Sequence, residues 1–88
     1  MQLRIAKTFQ KDYRKIRDKK LLRKAAEIIE HARKAESSAQ IANLKKMKGY
    51  KDFYRIRIGN YRIGIQISGN NITFLRLVHR KDIYSRFP

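Results

Sequence analysis

The run FYRIRIGNYRIGIQI, residues 53–67, decides the fold. Side chains alternate across a strand, so strict apolar–polar alternation reads as a half-buried β-strand. Residues 53–58 alternate in this way, and residues 61–67 do so again. Between them Gly59-Asn60 is a two-residue break of the kind that closes a β-hairpin. Gly69-Asn70-Asn71 marks a second turn, and ITFLRLVH, residues 72–79, reads as a third strand. The three form an antiparallel meander.

Alternation also sorts the side chains by face. Tyr54, Ile56 and Ile58 share one side with Tyr61, Ile63, Ile65, Ile67, Leu75 and Leu77. The other side takes Phe53, Arg55, Arg57, Arg62, Gly64, Gln66, Phe74, Arg76 and Val78, and extending the period adds Arg80. The first face is apolar and needs a cover. The second gathers five guanidiniums, and no acidic residue occurs in residues 53–81 to pair them. An antiparallel sheet commonly has one wet face. An ordinary wet face mixes signs, however, whereas forked guanidiniums without carboxylates match phosphate. Gly64, in mid-strand, either admits a ligand backbone or marks a twisted or bulged strand.

Upstream the period changes. Gln2–Ile5 alternates as an opening strand. Phe9, Tyr13 and Ile16 then fall on one helical face, with Thr8 as the expected N-cap. A second helix begins at an Asp18 cap and buries Leu22, Ala25, Ile29 and Ala32, widened by Leu21 and Ile28. Glu36-Ser37-Ser38 ends this helical hairpin. Residues 39–52 read as a basic connector carrying Lys45, Lys46, Lys48 and Lys51, with a turn at Gly49. Tyr50 and Phe53 interleave aromatics that stack on bases or pack inward. The expected fold is α+β: an N-terminal strand, a helical hairpin and a three-stranded meander, forming one sheet with helices packed on one face. Residues 1–88 make a single domain, closed by the short tail RKDIYSRFP.

The charge is distributed unevenly. The chain carries 23 Lys and Arg against 7 Asp and Glu, a formal charge of +16. Residues 1–44 hold 12 basic and 5 acidic side chains, and residues 45–88 hold 11 and 2. Self-repulsion on that scale points to a polyanion, nucleic acid before anionic membrane. The chain has no Cys, hence no thiol nucleophile and no disulfide, which suits a reducing cytoplasm. Paired carboxylates, Gly-rich phosphate loops and metal-spaced ligand clusters are absent, so no cofactor and no metal are expected. The available side chains still suffice for one reaction. RNA supplies its own 2′-OH nucleophile, and cleavage then needs positioning, charge stabilisation and proton transfer.

The stretches LKKMKGYKDFYRIRIGNYRIGIQI and LVHRKDIY resemble the RelE/ParE superfamily of bacterial toxins, especially the RelE branch. The resemblance covers essentially the whole chain. It implies the toxin of a type II toxin–antitoxin system, a ribosome-dependent endonuclease that cuts mRNA in the A site. It implies a cognate antitoxin, the ribosome and mRNA as partners, and operator DNA only through the antitoxin complex, with no membrane. Carried over by position, Arg55 and Arg57 lie before the hairpin turn and Arg62 just after it, with Arg80 and Tyr84 near the C-terminus. Arg62 and Arg80 would hold the scissile phosphate, while Tyr84 would stack on or orient a base or move a proton, or else anchor the tail. Where the best-known relatives carry strand lysines this chain has Arg55 and Arg57, and an arginine stays protonated. The base then falls to Tyr84, His79, Lys46 or Lys48, with Tyr84 first because its position matches. Arg76 and the connector lysines Lys45, Lys46, Lys48 and Lys51 would extend the RNA track. A ParE-like gyrase toxin and a non-catalytic RNA- or ribosome-binding domain are the alternatives.

Overall fold

The computed structural model describes residues 1–88. Its elements run β1 (Gln2–Ile5), α1 (Lys7–Lys15), α2 (Lys19–Lys34), a 3₁₀ turn (Ser38–Gln40), β2 (Leu44–Lys46), β3 (Phe53–Ile58), β4 (Tyr61–Ser68), β5 (Asn71–His79) and α3 (Ile83–Arg86). The sheet has five strands in the order β1-β5-β4-β3-β2. The meander forms as its alternation requires, β3 and β5 both antiparallel to β4, while β1 lies parallel to β5. Positive φ at Gly59 (57°) and Gly69 (59°) closes the two hairpins, a conformation that costs glycine nothing.

The apolar face meets the helical hairpin. Phe9, Leu21, Ala25, Ile29 and Ala32 pack onto Ile56, Ile58, Ile63, Ile65, Ile67, Ile72, Phe74 and Leu77. Full burial of one such isoleucine is worth about 2 kcal/mol, and this layer carries most of the stability. Asp18 caps α2 as expected, its carboxylate accepting from the backbone N–H groups of Lys20 and Leu21. On α2 it is Leu21 rather than Leu22 that leads the buried stripe.

Four expectations need correction. The connector is not simply a loop: Leu44–Lys46 adds β2 as an edge strand antiparallel to β3. Three residues, two of them lysines, are too short to show a period, and short lysine-bearing edges resist further pairing. Thr8 is not the cap of α1, because the helix starts at Lys7 behind an extended Ala6. Thr8 instead donates its hydroxyl to the Leu75 carbonyl at 2.6 Å.

The third correction concerns β5. A bulge between Gly64 and Ile65 sets Gly64 opposite Arg76 and Ile65 opposite Phe74, leaving Leu75 as the extra residue. Phe74 therefore belongs to the main core, and Leu75 packs with the residues of the opposite face. The fourth is that helices do not cover one face alone. The C-terminal segment folds as α3 and closes a second small core of Met47, Val78, Ile83 and Phe87, flanked by Phe53 and Leu75.

Candidate functional site

The face of the sheet opposite the helical hairpin is divided by this second core. Beside it stand the arginines. Arg57 and Arg62 are directly opposite one another on β3 and β4, and Arg55 faces Gly64. Like charges so placed repel. Arg62 is half-buried as a residue and its guanidinium is drawn back onto the hairpin, with Nη1 donating to the carbonyls of Gly59 (3.0 Å) and Tyr61 (2.8 Å). Nε and Nη2 remain available to a ligand. Its pKa is held below the ordinary arginine value, first by burial and then by the charges of Arg55, Arg57 and Arg80, against a smaller opposite effect from Tyr84. All five groups thus share one field.

Arg80 follows the end of β5, where its backbone N–H donates to Asn60 and so keeps it beside the hairpin turn. Tyr84 comes from α3 and is 67% exposed, the most exposed large hydrophobic side chain in the molecule. The Arg55 guanidinium carbon lies 5.8 Å from the centre of its ring, within cation–π range. Ile83 points inward at 1% exposure and anchors the tail, while the adjacent Tyr84 points outward beside Arg55.

Other expected site residues are not gathered here. Arg76 does not join a row of unpaired arginines, since Asp12 of α1 accepts from its Nε at 2.8 Å and its Nη2 at 3.1 Å. This pairing raises the Arg76 pKa above its ordinary value. The partner lies 64 residues away in sequence, so a search for acids near the strands misses it. His79 pairs with Tyr61 across β4 and β5, its ring edge-on to the Tyr61 ring at 5.5 Å, on the helix-facing side of the sheet. Its Nδ1 accepts from the Lys81 backbone N–H at 3.2 Å, so the neutral ring carries its proton on Nε2.

The connector lysines separate. Lys45 is in register with Arg55 on the arginine side, whereas Lys46 is in register with Tyr54 on the helix side. Lys48 and Lys51 are exposed in the turn leading to β3, next to Tyr50, whose ring rests edge-on against Phe53 at 5.9 Å. Gly64 is occupied from above by the Phe87 ring, 2.7 Å from where a Cβ would stand. It receives the protein's own tail, which corrects the reading of that position as an approach for a ligand backbone.

The comparisons with known proteins bear on the family rather than on these side chains. The family model of the ParE toxin of type II toxin–antitoxin systems matches residues 3–84. Toxin RelE3 of Methanocaldococcus jannaschii is 43% identical over 89 residues, all of both chains.

This chain belongs to the RelE/ParE toxin superfamily.

It is accordingly the toxin component of a type II toxin–antitoxin system. The solved RelB–RelE antitoxin–toxin complex from Methanococcus jannaschii superposes with a TM-score of 0.81 at 42% identity, over 97% of this chain and 99% of that one. The archaeal RelE–RelB complex from Pyrococcus horikoshii shares the fold at a TM-score of 0.71 and 23% identity, over 90% and 93% of the two chains. The RelE-like α+β architecture expected from the sequence is the one present. No helix is long and apolar enough to cross a membrane.

Proposed function

We propose that this toxin is a ribosome-dependent mRNA endonuclease working by metal-independent attack of the RNA 2′-oxygen. The convergence of Arg55, Arg57, Arg62 and Arg80 beneath the exposed ring of Tyr84 carries the reading. The 2′-oxygen bonds to the adjacent phosphorus as its proton leaves, and the bond from phosphorus to the 5′-oxygen breaks as that oxygen gains a proton. Negative charge builds on the phosphoryl oxygens in between. Pre-placed guanidiniums are worth most at that moment, because no reorganisation is needed. Arg62 and Arg80 hold the phosphate, Arg55 and Arg57 add field, and Lys45 extends it along the strand. Tyr84 offers a face on which a base can stack and a hydroxyl for proton transfer.

The ribosome presents the message, which accounts for a site that is an open face rather than a cleft. A cognate antitoxin is the second partner, and operator DNA is reached through the antitoxin complex. The match to the ParE family model supports gyrase inhibition as a second reading. The arginine and tyrosine cluster favours RNA over it.

The decisive assay presents programmed ribosomes and free mRNA to the purified protein. Cleavage in the ribosome and largely intact free RNA is the expected outcome, and intact message in both overturns the reading. Arg62→Ala and Arg80→Ala each abolish cleavage and growth inhibition while the fold persists. Overexpression that triggers DNA-damage signalling with translation intact establishes the gyrase reading instead.

A further inference from the structure

Tyr84 is far exposed and belongs to a helix of a single turn, which cannot hold its own conformation. Something outside α3 must fix it. Three residues later the chain places Phe87 at 3% exposure on the sheet. Its ring lies directly on Gly64, where an added Cβ would be 2.7 Å from two ring carbons and 2.8 Å from a third. Its edge meets Phe53, the centroids 5.5 Å apart and the planes at 89°. On the far side of Gly64 in the same register, Arg76 donates from Nη1 to the Arg86 carbonyl at 3.3 Å, while Asp12 fixes its other nitrogens. Arg55 is the residue opposite Gly64 on β3, and Tyr84 is above Arg55. Socket, plug and tyrosine are thus in line across a single row of the sheet.

We propose that Gly64 and Phe87 form a socket and plug that set the position of Tyr84 over the arginine cluster. Phe87 and Gly64 are positioning residues: neither touches RNA, and both act through α3. The assignment rests on the nuclease reading only for its consequence in turnover. The geometric part stands separately. Substituting Gly64 displaces Phe87, and removing the Phe87 ring leaves α3 tethered by Ile83 and the Arg76 hydrogen bond.

The test labels the protein with 3-fluorotyrosine and follows Tyr84 by ¹⁹F NMR, its signal assigned with Tyr84→Phe among the five tyrosines. In folded Phe87→Ala and Gly64→Ala the Tyr84 signal shifts part of the way toward its denatured position, and in Phe87→Leu, which keeps bulk without the ring, it shifts less. The double variant moves it no further than either single one. On programmed ribosomes, turnover falls about tenfold in each variant while half-saturation changes by less than about twofold, because the arginines that bind are untouched. A Tyr84 signal unmoved in folded Phe87→Ala or Phe87→Leu overturns the proposal. So do losses that multiply in the double variant, which would make Gly64 a contact for RNA. Movement of Tyr84 in a protein that never cuts message refutes the nuclease reading and leaves the socket standing.

Discussion

At the scale of single residues, the arginine cluster is an arrangement the fold tolerates rather than one that supports it. Arg57 and Arg62 oppose each other directly, and Arg62 is partly desolvated and flanked by three further cations or their fields. Its depressed pKa means that folding disfavours its charged form, so an anion that neutralises the cluster binds the native state preferentially. Sulfate at about ten times its dissociation constant should stabilise the fold by about 1.4 kcal/mol and raise the melting temperature by about 6–11 °C over chloride at equal ionic strength. Arg57→Gln should add about 0.5 kcal/mol without sulfate, by removing one cross-strand repulsion, and should shrink the sulfate effect. Scanning calorimetry of both proteins in both salts measures this, and equal shifts in the two would refute the shared field. Arg55, Arg57 and Arg62 were legible in the sequence because alternation alone puts them on one face. The pairing of Arg76 was not, since a chain reading has no access to contacts made by folding.

At the scale of elements, α1 does more than cover the sheet. β1 pairs with β5 only as far as Phe74, which leaves the rest of that edge without a strand. α1 fills the place with side chains. Thr8 donates to the Leu75 carbonyl, and the Asp12 carboxylate accepts the Leu77 N–H at 2.9 Å as well as Nε and Nη2 of Arg76. A helix flank thereby completes a β-ladder and neutralises a strand arginine with the same carboxylate. The Asp12 and Arg76 side chains are only 12% and 25% exposed, so breaking the pair leaves a guanidinium and a backbone N–H poorly satisfied. Asp12→Ala should cost about 2–3 kcal/mol in urea unfolding and Thr8→Val less than about 1 kcal/mol. Equal costs would contradict the assignment. The raised pKa of Arg76 keeps its half of the bridge charged below the unfolded-state value, and that contribution is lost only as pH climbs through the folded-state value in strong alkali. The helices and meander strands were visible as periods of 3.6 and 2. β2, the bulge at Gly64/Ile65 and α3 were not, because each depends on what packs beside it.

At the scale of the molecule, +16 sits on a body of 33 × 28 × 22 Å, a few Debye lengths across at physiological salt. Such a field steers a polyanion from any direction, but only contacts in the site release counterions. A short uncleavable 2′-O-methyl RNA held by Arg55, Arg57, Arg62 and Arg80 should show a slope of about −3 in log affinity against log salt. Fluorescence anisotropy across a salt series measures it. A slope near −10 would mean that the cations of α1 and α2 take part as fully as the arginine face.

The sequence by itself determined the α+β class, the hairpin, the helix-facing core and the family, since periodicity, turn glycines and local motifs survive in a one-dimensional chain. Its charge excess pointed to a polyanion partner, and strand alternation put Arg55, Arg57 and Arg62 on one side of the sheet. Tertiary structure decided which of those charges are free. It withdrew Arg76 by supplying Asp12 from the other half of the chain, left His79 across the sheet, and closed Gly64 with Phe87. It also raised Tyr84 over Arg55 on a turn of helix with no period of its own. Charge sign is written residue by residue, but whether a charge is paired, buried or aimed depends on neighbours distant in sequence, and only folding brings those together.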